Sequence, residues 1–342
     1  MCPENVFIIL FPFGVEIKNR SFMQRDISID ILKFFAVLLI TNSHMELLYG
    51  KYSALATGGA IGDVLFFFAS GFTLFLGQAR AFGNYYKRRI GRIYPTVLAW
   101  AVLGCIFFER EDNIVNILLT GGGWFVSCIM IYYVVLFFVR KALFRHLKLT
   151  LVFSIVVSVG LYWVFKDGTS FNMYGNTYYK WIHYFSFMLQ GAILGVMSKQ
   201  RVVHITNGWF ELLKAAGCVV AFYALCAFKN SADFNFLQTL SLLPLLGVTY
   251  YVYRMCNAEG IKSMYPKKSG LVIRAIGGLC LEVYLVQYSL FTDKLNSLFP
   301  LNLLIVFAEI LAVAYILRCF ARIWAQTFKD GDYDWKEVFR VV

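Results

Sequence analysis

The chain has 342 residues, of which 59% are hydrophobic and only 15% charged, where a soluble domain would carry charge on about a quarter of its positions. With a mean hydropathy of +0.64, this composition excludes an ordinary soluble globule, a disordered chain and a small secreted disulfide scaffold. The balance is basic, 32 Lys and Arg against 20 Asp and Glu. In a polytopic membrane chain such an excess fixes loop orientation, so no nucleic-acid partner follows from it.

Apolar runs bounded by charges and turn residues predict ten spans, near 27–48, 58–77, 93–109, 117–139, 149–165, 181–198, 212–228, 235–253, 271–291 and 301–324. The fold class is therefore an all-α, polytopic membrane protein with about ten transmembrane helices. Residues 1–26 read as a cytoplasmic or interfacial segment, because the apolar run 5–15 is too short to span and ends in Glu16, Lys18 and Arg20 without a small-residue cleavage site. With the N-terminus inside, the outer loops hold only Lys51, Arg110, Lys166, Lys180, Lys229 and Lys294, and Lys33 lies within the first span. The remaining 25 basic residues fall on the cytoplasmic side, which places both termini there. A single transmembrane domain over 27–326 and a cytoplasmic tail over 327–342 are expected. The eight cysteines lie mostly in apolar runs without a CxxC pair and read as small buried hydrophobes.

A charged side chain in hydrocarbon costs several kcal/mol unless it is paired or faces a cavity, so intramembrane ionisable groups are the candidates for function. The first span and its leading edge carry Arg25, Asp26, Asp30, Lys33 and His44. At about 100° per residue, an eleven-residue step returns to within about 20° of its start, so Lys33 and His44 share a face, separated by ~16 Å of rise. An edge ion pair between Asp30 and Lys33 with an interfacial His44 is the bland alternative. Against it stands the second span, where Asp63 opens the run Asp63-Val64-Leu65-Phe66-Phe67-Phe68-Ala69-Ser70-Gly71-Phe72. The connecting loop is short, which puts Asp63 at the depth of His44, where a carboxylate can orient an imidazole and raise its basicity.

Between the second and third spans, Lys87, Arg88, Arg89 and Arg92 form a basic cluster. If helical, it aligns Arg89 and Arg88 with Arg92 and can hold phosphates bidentately, though a positive-inside anchor would also account for it. Trp124-Phe125 follows Gly121-Gly122-Gly123 at the outer mouth of the fourth span, as a substrate contact or as part of an aromatic belt. Glu282 falls near the middle of the ninth span and needs a partner, either Lys33 or an arginine from another span. Glu309 in the tenth span raises the same question with less context.

In this order the residues resemble the acyltransferase-3 family of integral membrane acyltransferases, which acylate extracytoplasmic carbohydrate in bacteria. The resemblance is carried by Lys33 and His44, ten residues between them; by Arg89-x-x-Arg92; by Asp63 through Phe72; by Trp124-Phe125-Val126; and by Glu282-Val283-Tyr284-Leu285. It departs from the family at Gln287, where a histidine often closes the late motif. It also places the chain among compact members without an esterase-like domain after the tenth span. The resemblance implies an acyl-CoA donor, acetyl-CoA foremost, used as a co-substrate without a metal, and a hydroxyl acceptor on a polysaccharide or lipid-linked sugar. It further implies a multi-pass protein of the bacterial cytoplasmic (inner) membrane, with the lipid bilayer as its medium; a homodimer is compatible with it. His44, Asp63 and Lys33 are then the catalytic candidates, and Arg88, Arg89 and Arg92 the donor-binding ones. Asp30, Trp124 and Glu282 are the substrate contacts. The competing class is a transporter or flippase for a lipid-linked glycan or small solute, in which Asp30, Lys33, Asp63 and Glu282 would be coupling residues. No repeat between halves and no matched pair of Gly- or Pro-interrupted spans supports it.

Overall fold

A computed structural model describes residues 26–77, 81–108, 114–166, 171–200 and 205–341, so the expected N-terminal segment up to residue 25 lies outside the described residues. In chain order the principal helices are α1 (Ile27–His44), α2 (Gly59–Leu76), α3 (Phe82–Phe107), α4 (Ile114–Thr120), α5 (Trp124–Ala142), α6 (Leu147–Phe165), α7 (Phe185–Gln200), α8 (Gly208–Cys226), α9 (Leu242–Cys256), α10 (Lys268–Gly278), α11 (Cys280–Val286) and α12 (Leu301–Thr327). The described residues contain no strand; one isolated bridge joins Ile205 and Ala258. All-helical structure is what a bilayer demands, since a helix satisfies its backbone within one segment.

Among the described residues, eight helical stretches are long and apolar enough to cross a membrane, and nine if α10 and the segment Cys280–Ser289 form one span bent by 56°. The count thus falls below the ten read from the sequence. The missing one is the sixth: α7 has 16 residues and is preceded by a separate turn, Lys180–His183. The buried His183 ring sits at that junction among Tyr174, Tyr179 and Tyr184, with Nε2 3.0 Å from the Met173 carbonyl oxygen. Two other boundaries move. The third span begins at Phe82, eleven residues earlier than expected, so the basic cluster is helical. The fourth divides at the Gly121–Gly123 run into α4 and α5, which makes Trp124 the first residue of α5.

The chain forms two compact units. One contains the start of α1, most of α2 and the chain from Leu143 to Gly270, hence α6 to α9. Here α2 and α7 cross at backbone distance: a Cβ on Gly71 would lie 1.9 Å from the Met188 carbonyl oxygen, and one on Gly191 would lie 2.0 Å from that of Phe68. Small residues that let backbones approach are the usual basis of helix association in lipid, where burial alone gives little drive. Polar side chains add to it. Gln190 donates to the Leu246 carbonyl at 2.9 Å and accepts from Thr249 at 2.5 Å, and Arg254 of α9 grips Glu211 of α8 through Nε at 2.9 Å and Nη2 at 3.0 Å.

The other unit contains the rest of α1, the first turn of α2, α3 to α5, and the chain from Leu271 onward. In it α12 packs along α3, and α11 packs on both.

Candidate active site

His44 is the last residue of α1, and three asparagines fix the chain that follows it. Asn42 donates to the carbonyls of Leu55 at 3.0 Å and Thr57 at 2.9 Å and accepts from Tyr49 at 2.6 Å. Asn296 donates to the Leu47 carbonyl at 2.9 Å, and Asn302 to that of Leu48 at 2.8 Å. These bonds satisfy carbonyls that the end of a helix and its loop would otherwise leave open, and they fix the backbone that follows His44.

The first turn of α2 lies against α1 at the same level. A Cβ on Gly59 would be 2.7 Å from Ser43 Oγ, and one on Gly62 would be 2.6 Å from Ile40 Cγ1 and 2.9 Å from the Ala36 carbonyl. Asp63 stands four residues after Gly59, on the same helical face. It is partly exposed, like His44. The third side of the site comes from the chain around α11. The Tyr288 ring packs on His44 with centroids 4.8 Å apart and is itself 60% exposed, so this face is open. The Asp63 carboxylate lies within electrostatic reach of the Tyr284 and Tyr288 hydroxyls. Tyr284 Oη accepts from the Phe125 amide at 3.4 Å, and its ring lies 5.6 Å from that of Phe125, which packs edge-on against Trp124. The unit thus gathers His44, Asp63, Trp124, Tyr284 and Tyr288.

What brings α11 there is a break after Gly278. Arg318 of α12 reaches across it, donating from Nε and Nη2 to the two oxygens of Glu282 at 3.1 and 3.0 Å, and from Nη2 to the Gly278 carbonyl. The side chains are 13% and 8% exposed, a buried and bidentate pair. The partner of Glu282 is therefore an arginine from another span, one of the two options open from sequence. The Cys280 thiol faces the Lys33 carbonyl at 3.9 Å, which ties α11 to the middle of α1 as well. Asp30 belongs to the other unit, where it accepts from Tyr265 at 2.6 Å. Glu309 is exposed on α12.

The basic cluster lies on the first turns of α3. Arg88 and Arg92 are exposed. The Arg89 guanidinium lies over Tyr85 and Tyr133, 5.7 and 5.8 Å from their centroids, and Tyr85 donates to the Tyr133 carbonyl at 3.1 Å. The Arg89 Nε is buried without a hydrogen-bond partner among the described residues, so this fork is oriented by aromatic faces and retains donor capacity. No group of three or more His, Cys, Asp or Glu suited to a metal occurs among the described residues.

Sequence reasoning did not single out Tyr288 or Arg318. Tyr288 is a neutral residue in an apolar run and carries no signal of its own; Arg318 did, as a cation inside the last span. Tyr284 lay within the late motif without an assigned role.

A polytopic helical protein with a histidine, a carboxylate and tyrosines gathered at one end of its helices, and an arginine cluster on another helix, has the makings of a membrane-embedded group-transfer enzyme. The family comparison specifies the group. The acyltransferase domain of the acyltransferase-3 family matches residues 26–319, so the chain belongs to that family and is an integral membrane acyltransferase. No curated protein and no solved structure matches it.

Proposed function

We propose that the enzyme moves an acyl group, acetyl foremost, from cytoplasmic acyl-CoA to a hydroxyl of an extracytoplasmic or lipid-linked carbohydrate in a bacterial inner membrane. The observation that carries the reading is the gathering of His44, Asp63 and Tyr288 on an open face of one unit. The family match favours acyl transfer over solute transport for the same intramembrane charges.

In this reading Arg88, Arg89 and Arg92 hold the phosphates of the donor, and the pantetheine arm runs along the face bearing Lys33 toward His44. The acceptor binds beside Trp124. His44, with Asp63 setting its tautomer, takes the proton of the acceptor hydroxyl as that oxygen attacks the thioester carbonyl. The tetrahedral intermediate collapses by breaking the C–S bond, and the CoA thiolate leaves with the proton returned by His44. The products are one acyl ester and one free thiol.

The test is CoA release from acetyl-CoA by the purified protein, with and without glycosides, for wild type, His44→Gln and Asp63→Asn. Wild type should turn over, His44→Gln should be silent, and Asp63→Asn should fall by about 10²–10⁴-fold with little change in the KM for acetyl-CoA, as expected for a wrong tautomer. Wild-type turnover by a folded His44→Gln protein would remove the base from this mechanism.

A further inference from the structure

Gln287 stands in the turn between α11 and the chain leading to α12, one residue before Tyr288. Its backbone is satisfied on both sides: its amide donates to the Val283 carbonyl, and its carbonyl accepts from Leu290 at 3.1 Å. Its side chain is not. Gln287 is 0% exposed, and neither Oε1 nor Nε2 meets a hydrogen-bond partner among the described residues. Leaving a whole carboxamide buried and unpaired is expensive, and native proteins rarely do so without a use for the group. An apolar side chain of similar size would fit the same space at no such cost.

The surroundings indicate the use. The next residue packs its ring on His44, and that ring is 60% exposed, so along the chain the buried amide directly precedes the residue that borders the site. A carboxamide offers one strong acceptor and two donors on a single planar group. Its complement is a pair of neighbouring groups that each give and receive a hydrogen bond. Adjacent hydroxyls on a sugar ring have that chemistry, and a hydrocarbon or a lone thioester does not.

We infer that Gln287 is an acceptor-binding residue whose buried amide, held unpaired in the resting enzyme, hydrogen-bonds two adjacent hydroxyls of the carbohydrate that His44 deprotonates. The inference rests on the carbohydrate reading above. The acceptor must part the side chains that seal Gln287, so the amide acts as a filter: only a ligand able to pair with it recovers what its burial loses. A site built to pair a hydroxyl rejects an analogue lacking one more strongly than it rejects a change in apolar bulk.

The inference makes stability and activity move in opposite directions. Gln287→Leu removes an unpaired buried amide, so the denaturation midpoint of the purified protein in detergent should hold or rise. The same change should raise the KM for the acceptor by about 10–100-fold, much more than it raises the KM for acetyl-CoA. The probe is whichever p-nitrophenyl glycoside, from a panel of common hexoses, best accelerates CoA release by wild type. Gln287→Asn, which keeps the amide on a shorter arm, should recover part of the loss. A Gln287→Leu protein with an unchanged acceptor KM overturns the inference while the transferase reading stands, and so does one that is less stable than wild type, since Gln287 would then be a structural hydrogen-bonder. A wild-type protein that consumes acetyl-CoA but is accelerated by no glycoside overturns the carbohydrate reading and this inference with it.

Discussion

Removing Arg318 should unfold more than it disarms. In Arg318→Met an apolar side chain of similar reach fills the space, while Glu282, with a side chain only 8% exposed, is left as a buried carboxylate and the Gly278 carbonyl loses its donor. Breaking a buried ion pair from one side costs about 3–5 kcal/mol, whereas replacing both members by apolar residues is often neutral or stabilising by about 1–4 kcal/mol. Arg318→Met is therefore expected to lower the unfolding free energy by about 3–5 kcal/mol, against about 1 kcal/mol for an ordinary substitution. Glu282→Leu should cost less, because the freed guanidinium keeps its bond to Gly278. The double variant should recover most of the loss. The assay is denaturant unfolding of purified protein in detergent, followed by tryptophan fluorescence, with CoA release measured on the same samples. Because the pair spans the break that directs Tyr284 and Tyr288 toward His44, turnover should fall in step with stability and return in the double variant. The reasoning is refuted if the single effects add to within about 0.5 kcal/mol, the limit for independent sites. It is also refuted if Glu282→Leu loses turnover at undiminished stability, which would make Glu282 the substrate contact expected from sequence.

Two further predictions address the donor site and the helix crossing. Arg89→Met should raise the KM for acetyl-CoA by about tenfold or more, the loss of one charge-assisted contact of about 1.5–3 kcal/mol, with the acceptor KM unchanged; steady-state kinetics showing an equal rise in both would reduce the cluster to a topological anchor. Gly71→Ala places a methyl 1.9 Å from the backbone oxygen of Met188, where no side chain can yield, so α2 and α7 must separate. Size-exclusion chromatography should show a collapse in monodisperse yield, and a wild-type profile would contradict the close crossing.

What was legible in the sequence was whatever charge makes conspicuous in lipid. His44 and Asp63 stand out because each is costly in hydrocarbon, and the structure sets the first turn of α2 against the end of α1 as the short loop implied. The third span was misplaced by the same logic. Tyr85 to Arg92 fell outside the predicted span because it is charged, yet Lys and Arg are good helix formers, and beyond the hydrocarbon nothing stops the helix, so α3 runs on to Phe82. The bend after Gly278 was not read from the sequence, because the apolar run 271–291 is interrupted only by isolated polar residues such as Arg274 and Glu282, and hydropathy cannot register a break that Arg318 braces from forty residues away.

That bend separates the two kinds of residue in the site. His44 and Asp63 sit on helices whose packing their own glycines and asparagines secure, so their spacing along the chain forecasts their meeting. Tyr284, Gln287 and Tyr288 are neutral and lie on the segment that begins at the bend, where a buried ion pair braces the break and Tyr288 packs on His44. Their placement passes through tertiary structure, which is why charge within the membrane singles out His44 and Asp63 but not the side chains that border them. It follows that altered acceptor choice in this enzyme should come from the segment between the bend and α12, where substitutions change what meets His44 without adding or removing a charge in the membrane. The histidine and the carboxylate should tolerate no such exchange, because in the proposed mechanism moving the proton depends on both.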